Sequence, residues 1–349
     1  MDKSKNKKWI VPIVSMLAAL LVGTALLYPM LSMKTRDIPI AVISLDEGMT
    51  TPAGTANAGD KIIKKITSLN GEVIDWQKPK SEKQLEKNMR DGAYYASFVI
   101  PKEFTKANAA GQATPIQVTI NEGINPMVTM SLSSVISTMA KNSGLSLEIK
   151  SINETAKYGM FAMLLPMACI LLVFIVSLIT GFMTGSQLCF EGSCGQKAKT
   201  YVIQLIYLMA GALIIAFSAA GIIKGVTDID VDMAATGSYL AIISFAVMLL
   251  VTGSVNLFGK KGLVIPGLIF ILGMGLINPP YEFISNTWQT LVASWEPLRF
   301  FGEGMREVLY QDRGIWNSAA YSFIILAGLG VFMSLFALFR TNRETYYAE

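Results

Sequence analysis

The chain alternates long apolar windows with polar stretches, and the windows have the length of membrane spans. A helix needs about 20 mostly apolar residues to cross a bilayer. Six windows approach or reach that length: 9–31, 158–182, 201–223, 238–258, the shorter 263–278, and 319–339. None contains Lys, Arg, Asp or Glu, and a charge near the centre of a span costs several kcal/mol to insert. Core helices of a soluble protein rarely run this far without a polar face. The first window follows Lys3, Lys5, Lys7 and Lys8, as a signal peptide would. It is longer than the roughly 7–15 residues of a signal core, and no Ala-x-Ala site follows it. It reads as an uncleaved anchor.

Short loops set the orientation. With the 1–8 tail in the cytoplasm, the inside segments carry Lys197 and Lys199, Lys260 and Lys261, and Arg340 and Arg343. The outside stretch 224–237 has Lys224 against Asp228, Asp230 and Asp232. This is the positive-inside pattern. Six spans then place the 340–349 tail in the cytoplasm as well.

The polar stretch 32–157 switches to shorter periods. IPIAVIS (38–44), GEVIDW (71–76), AYYASFVIP (93–101) and PIQVTINE (115–122) read as strands, and DKIIKKITSL (60–69), SEKQLEKNMRDG (81–92) and KEFTKANA as helices. Strands alternating with helices predict an extracytoplasmic α/β domain with a mixed or parallel sheet. From Pro126 to Lys157 the chain reads as helix, with a break at Gly144, running toward the second span.

Composition sharpens this picture. Charged residues make up 15% and apolar ones 52%, whereas soluble domains carry about 25% charged residues. The chain has no His. That excludes His-based acid–base chemistry, His-dependent triads and His-ligated metals. The three Cys all lie between 169 and 194, so the 32–157 domain has no disulfide, and two Cys at 189 and 194 without further ligands make a poor zinc site. Its charges nearly balance, which argues against nucleic-acid binding. No G-x-x-x-x-G-K-[ST] string is present. The chain is not expected to be an enzyme or to hold a cofactor.

Several strings carry a family likeness. IPIAVISLDEG (38–48), DGAYYASFVIPKEFT (91–105), VTINEGIN (118–125) and NPPYEFISNTWQTLVASWEPLRFFGEGMREVLY (278–310), in this order around six spans, resemble the ABC-2 type membrane proteins, and most closely the YhgE/Pip (phage infection protein) group. Ser44 stands where that group commonly has Asn. The resemblance implies a polytopic α-helical membrane protein, of ABC-2 type, with the α/β domain inserted between helices 1 and 2. It also implies a permease half of an exporter, a homo- or heterodimer in membrane lipid, served by a separate ATPase subunit. A cell-surface receptor or secretion-system scaffold, in which the outside domain does the work, is the competing reading.

Three groups of residues are candidate sites. The loop 183–200 resembles a coupling helix, with Phe190 as apolar anchor and Glu191, Lys197 and Lys199 as docking charges; the plain alternative is a polar turn. The outer segment 279–318 resembles re-entrant half-helices. There Glu296, Arg299, Glu303 and Arg306 sit three and four residues apart, a spacing that makes a charge ladder on a helix. In the outside domain, Asp46, Gly48, Gly92, Pro101 and Phe104 read mostly as structural residues of turns and strand ends.

Overall fold

The computed structural model describes residues 3–52, 54–68, 73–112, 114–143, 145–227 and 229–340. The chain divides into two compact units, an α/β unit spanning 34–163 with 280–283, and a helical unit made of the rest. The expected break at Gly144, the residues 71–72 and the tail from 341 onward lie outside the described residues, as do the side chains of Lys3, Lys5, Lys7 and Lys8.

Helix α1 (Lys3–Leu31) leads into the α/β unit. Its sheet is built from β1 (Ile38–Ser44), β4 (Ile74–Gln77), β5 (Ala96–Ile100), β6 (Ile116–Asn121) and β7 (Leu147–Ile152), and β2 (Met49–Thr51) and β3 (Gly54–Ala56) form a separate hairpin. The order is β4-β1-β5-β6-β7, with β1 parallel to β4 and β5, β6 antiparallel to β5, and β7 parallel to β6. Between them run α2 (Ala58–Thr67), α3 (Glu82–Arg90), α4 (Phe104–Ala109) and α5 (Pro126–Ser143). Ser81 caps α3 by accepting from Gln84 N at 3.2 Å, which turns Leu85 and Met89 onto Ala41 and Tyr94 of the sheet side.

The stretch from Pro126 to Lys157 differs from the expected continuous helix. Helix α5 stops at Ser143, and the chain returns as β7 before a short 3₁₀ turn at Ala156–Tyr158. LEIKSI has no clean apolar alternation. Its strand state comes from the ladder with β6, a non-local contact that local pattern does not encode.

The helical unit continues with α6 (Phe161–Gln187), α7 (Cys194–Val226), α8 (Met233–Phe258), α9 (Val264–Met274), the single turn α10 (Asn286–Trp288), α11 (Pro297–Tyr310) and α12 (Ala320–Phe339). Among the described residues four helical stretches are long and apolar enough to cross a membrane: Phe161–Gln187, Cys194–Val226, the run Met233–Met274 and Ala320–Phe339. The expected fifth window, 263–278, differs. Helix α9 has 11 residues, about 16 Å at 1.5 Å per residue, and it ends at a Gly275 cap before Pro279 is reached. Between α8 and α9 the chain folds back. Gly259 takes φ +65°, and a Cβ on Gly262 would sit 2.1 Å from the Ser254 carbonyl oxygen.

Helix α8 is the axis of this unit, and close backbone approach holds it there. A Cβ on Gly253 would lie 2.2 Å from Gly330 O, and one on Gly330 would lie 2.3 Å from Leu249 C. On the α6 side the G-x-x-x-G pair Gly181 and Gly185 meets Met248, Val251 and Val255 at 2.9–3.1 Å by the same measure. Lipid tails are as apolar as Leu, so helices in a bilayer associate through such packing and through interhelical hydrogen bonds. Two bonds reinforce the α6–α8 seam: Ser177 Oγ to Ser244 Oγ at 2.7 Å, and Thr252 Oγ1 donating to Gly181 O at 3.0 Å.

Gly253→Val forces atoms into a filled seam and is expected to lower stability by about 1–3 kcal/mol. The open position Gly221, with nothing within 4 Å, should accept Ala without loss. Thermal unfolding of the two variants in detergent checks this. Equal midpoints would remove the seam from its central place.

Candidate functional sites

The segment after α9 builds a buried, charged helical hairpin. Residues 289–293 form a π-helical turn after α10, a geometry common where function distorts a helix. Trp288 packs against Tyr28 of α1 at 5.4 Å between ring centroids. Glu296 caps α11, its carboxylate accepting from Arg299 N at 3.1 Å, and Pro297 occupies the first helical turn. Glu296 is fully buried, and it fits only because Gly273 has no side chain; a Cβ there would lie 2.2 Å from the carboxyl group. The spacing of the expected ladder closes at i,i+4: Arg299 Nη1 meets Glu303 Oε1 at 2.6 Å. Arg306 gives Nη1 to Ile277 O at 3.0 Å, which ties α11 to the end of α9. Glu307 accepts from Arg313 at 2.8 Å.

Helix α11 also rests on α8. The Tyr239 hydroxyl, completely buried, donates to Phe301 O at 2.9 Å. Gly304 leaves the room this needs, since a Cβ would come 2.3 Å from that hydroxyl. Arg299, Arg306 and Glu307 are all buried. Sequence reasoning found the charges of this hairpin but missed Gly273, Gly304 and Tyr239, whose roles depend on residues far along the chain.

The 183–200 loop is corrected by the structure. Helix α6 runs to Gln187 and α7 starts at Cys194, so the connection is only the turn 188–193 and has no room for a separate helical knob. Gly192 at φ +75° makes the turn, and Ser193 N donates to Gln196 Oε1 at 2.8 Å. Phe190 is half-buried with its ring edge-on to Tyr201, 6.2 Å between centroids. Lys197 is buried and donates Nζ to Arg340 O at 2.8 Å. It stabilises the α12 C-terminus, which is the site such a cation favours. Glu191 and Lys199 are exposed.

Beneath this turn lies a polar knot. Gln204 Nε2 donates to Leu188 O at 2.8 Å and to Asn256 Oδ1 at 3.0 Å. Asn256 Nδ2 returns bonds to Gln204 Oε1 at 2.9 Å and to Ser334 Oγ at 3.2 Å. The knot therefore joins the end of α6 to α7, α8 and α12. Amides inside apolar windows were the available sequence signal for it.

In the α/β unit, the Asp46 carboxylate is a staple. It accepts from Gly48 N at 3.3 Å, Thr105 N at 3.1 Å and Gly59 N at 3.1 Å, and from the Thr105 hydroxyl. It thus ties the end of β1 to the starts of α2 and α4. Burial pushes this carboxyl up, but the Thr105 hydroxyl and the three N–H donors outweigh burial and hold it below the usual value. Glu122 follows the same balance: burial raises it, and bonds from Ser151, Ala156 N and Thr155 N bring it below the ordinary range. Gly48 and Gly92 take φ +72° and +71° at turns. Pro101 O accepts from Phe104 N at 3.2 Å, and Phe104 is buried. Among the described residues no group of three acidic or Cys ligands could hold a metal ion.

Two charge predictions follow from these partners. Removing either Arg299 or Glu303 takes the direct partner from a mostly buried charge and should cost about 3 kcal/mol, whereas Arg299→Met with Glu303→Leu should cost less than either single change. Denaturation of the three variants decides it, and additive losses would contradict the pairing. The depressed Asp46 and Glu122 acids stabilise the fold above their unfolded values, 3.8 and 4.5, and this contribution is lost as pH falls below that range through their folded values. Asp46→Asn should remove part of this acid sensitivity, read as a flatter melting temperature against pH; an unchanged profile would exclude the staple.

A family model described as ABC-2 family transporter protein matches residues 8–339. No curated protein and no solved structure matches the chain.

Proposed function

The chain belongs to the ABC-2 family of transporter membrane proteins, and we propose from this that it is the permease subunit of an exporter that moves a lipid, a lipophilic compound or a polymer outward. Proteins of this family generally work with an ABC ATPase. In our reading the run Met233–Met274 holds two spans, α8 and α9, which with α1, α6, α7 and α12 give six; both termini are cytoplasmic, and the α/β unit faces outside. The basic side, with Lys197, Lys199, Lys260, Lys261 and Arg340, is then the cytoplasmic one. We place the chain with the YhgE/Pip group on the strings of the α/β unit, IPIAVISLDEG, DGAYYASFVIPKEFT and VTINEGIN, which resemble that group.

The observation that carries this reading is the position of the polar knot. ATP hydrolysis in a separate subunit has to act through a cytoplasmic surface. The 188–193 turn presents Glu191 there, and the Leu188 carbonyl below it is bonded to Gln204, hence to Asn256 and Ser334 on α8 and α12. A push on the turn is thereby shared by four helices. At the opposite end, charge-free spans disfavour a path for small ions. Most charges of the α11 hairpin are paired or bonded within the protein, as Arg299 is with Glu303 and Arg313 with Glu307, which suits a lid over an amphipathic cargo.

Reconstitution with an ABC ATPase subunit that co-purifies with this chain tests the proposal. The complex should move a fluorescent lipid across proteoliposomes when ATP is supplied. Glu191→Lys should weaken stimulation of ATP hydrolysis, and Gln204→Leu should leave the ATPase bound while reducing transport per ATP. An ATPase that neither binds the chain nor responds to it would sink the exporter reading.

A further inference from the structure

Strand β7 is an edge of the sheet: it pairs with β6 on one side, and among the described residues no strand pairs with its other side. The direction of its backbone groups is fixed at both ends. Ile116 N donates to Ser146 O at 2.9 Å, and Glu122 N donates to Ile152 O at 3.0 Å. Even-numbered residues therefore turn their N–H and C=O groups toward β6, and the odd-numbered Leu147, Ile149 and Ser151 turn theirs toward the open edge. Glu148 and Lys150 share a face two residues apart, their side chains 45% and 65% exposed and 3.1 Å from one another. Ile149 between them is 44% exposed.

We propose that β7 pairs antiparallel with β7 of a second copy, centred on Ile149, so that the two α/β units share one continuous sheet. The centre is dictated by two independent features. First, it brings Ile149 opposite Ile149 and Leu147 opposite Ser151, and these are the residues whose backbone groups point outward. They form the hydrogen-bonded pairs of the new ladder. Second, it brings Glu148 of each copy opposite Lys150 of the other, twice, at the non-hydrogen-bonded positions where side chains come closest. Both the bonding pattern and the charges are satisfied in one register. The arrangement is isologous, with its two-fold axis normal to the sheet.

The other edge of the sheet lacks this property. Strand β4 carries Asp75 as its one charged residue. Centred on Asp75, it would oppose two like charges; centred on Trp76, it would oppose Asp75 to Gln77. An exposed edge with charges is often a device against pairing, but that device works through charges that repel their own image. Glu148-Ile149-Lys150 attracts its image. The ladder is short and would be weak between free molecules. The inference rests on the permease reading in one respect: two copies held in the same membrane meet at a high effective concentration, which makes a short ladder sufficient.

Cross-linking of the full-length protein in native-like membranes tests it. The background has Cys169, Cys189 and Cys194, all free thiols, replaced by Ala. Ile149→Cys should form a disulfide dimer under mild oxidation, while Ala110→Cys, at an exposed site at the end of α4, should not. Adding Glu148→Lys should lower the cross-linked fraction roughly fivefold through like charges on facing strands. Adding Lys150→Glu as well should restore it, because the swap re-creates complementarity. Absence of the Ile149→Cys dimer, an equal yield from Ala110→Cys, or cross-linking indifferent to charge reversal would overturn the proposal. So would capture of Ile149→Cys by a different protein in place of a second copy. Native mass separates the two readings: a detergent-purified dimer without an Ile149→Cys cross-link rejects the strand pairing and leaves the permease dimer standing.

Discussion

The close approach of α8 to its neighbours organises the helical unit. A bilayer offers no hydrophobic reward for bringing apolar helices together, so their association depends on how near the backbones can come and on the polar groups they share. Gly253 and Gly330 let α8 and α12 touch main chain to main chain, and Gly181 with Gly185 does the same for α6. Once α8 is held on both sides, its two ends become fixed platforms. Tyr239 at one end receives α11, and Asn256 at the other receives Gln204 and Ser334.

Both platforms show how polar groups survive in such a setting. At the α11 end, formal charges are brought in and mostly held by local partners. Arg299 meets Glu303, Arg313 meets Glu307, Arg306 reaches the Ile277 carbonyl, and Glu296 caps the helix that carries them. Charged pairs buried this way add little net stability over apolar residues, yet losing one partner is severe. They are therefore suited to fixing a shape. At the opposite end neutral amides and hydroxyls do the joining, which keeps the cost of burial low while linking four helices.

The α/β unit follows different rules because its sheet is held by backbone ladders. Its most connected acid, Asp46, spends all its acceptor capacity on the ends of β1, α2 and α4. Hydrogen-bond donors surround it on every side that the fold supplies, and it is best understood as a joint between elements. The sheet instead leaves its backbone capacity unused at an edge, on β7, where Glu148 and Lys150 flank Ile149.

Much of the architecture was legible from the order of residues alone. Membrane windows are local sums of transfer free energies, so the apolar runs at 158–182, 201–223, 238–258 and 319–339 identified helices with errors confined to their ends. Strands β1, β5 and β6 and helix α3 were also legible, because caps and β-branched runs act within a few residues. The sequence likewise determined which charges occupy the 279–318 segment and that they could face one another on a helix. Other features were decided only in three dimensions. Strand β7 exists because β6 offers it a ladder. The 183–200 loop shrinks to six residues because both flanking helices gain partners that extend them. Lys197 is buried because Arg340, 143 positions away, presents a carbonyl to it. Phe190 faces Tyr201, and Glu296 fits because Gly273 is bare. Each of these depends on contacts between residues distant in the chain. Such contacts change the free energy of a segment by as much as its own propensity does, and no window of neighbouring residues contains them.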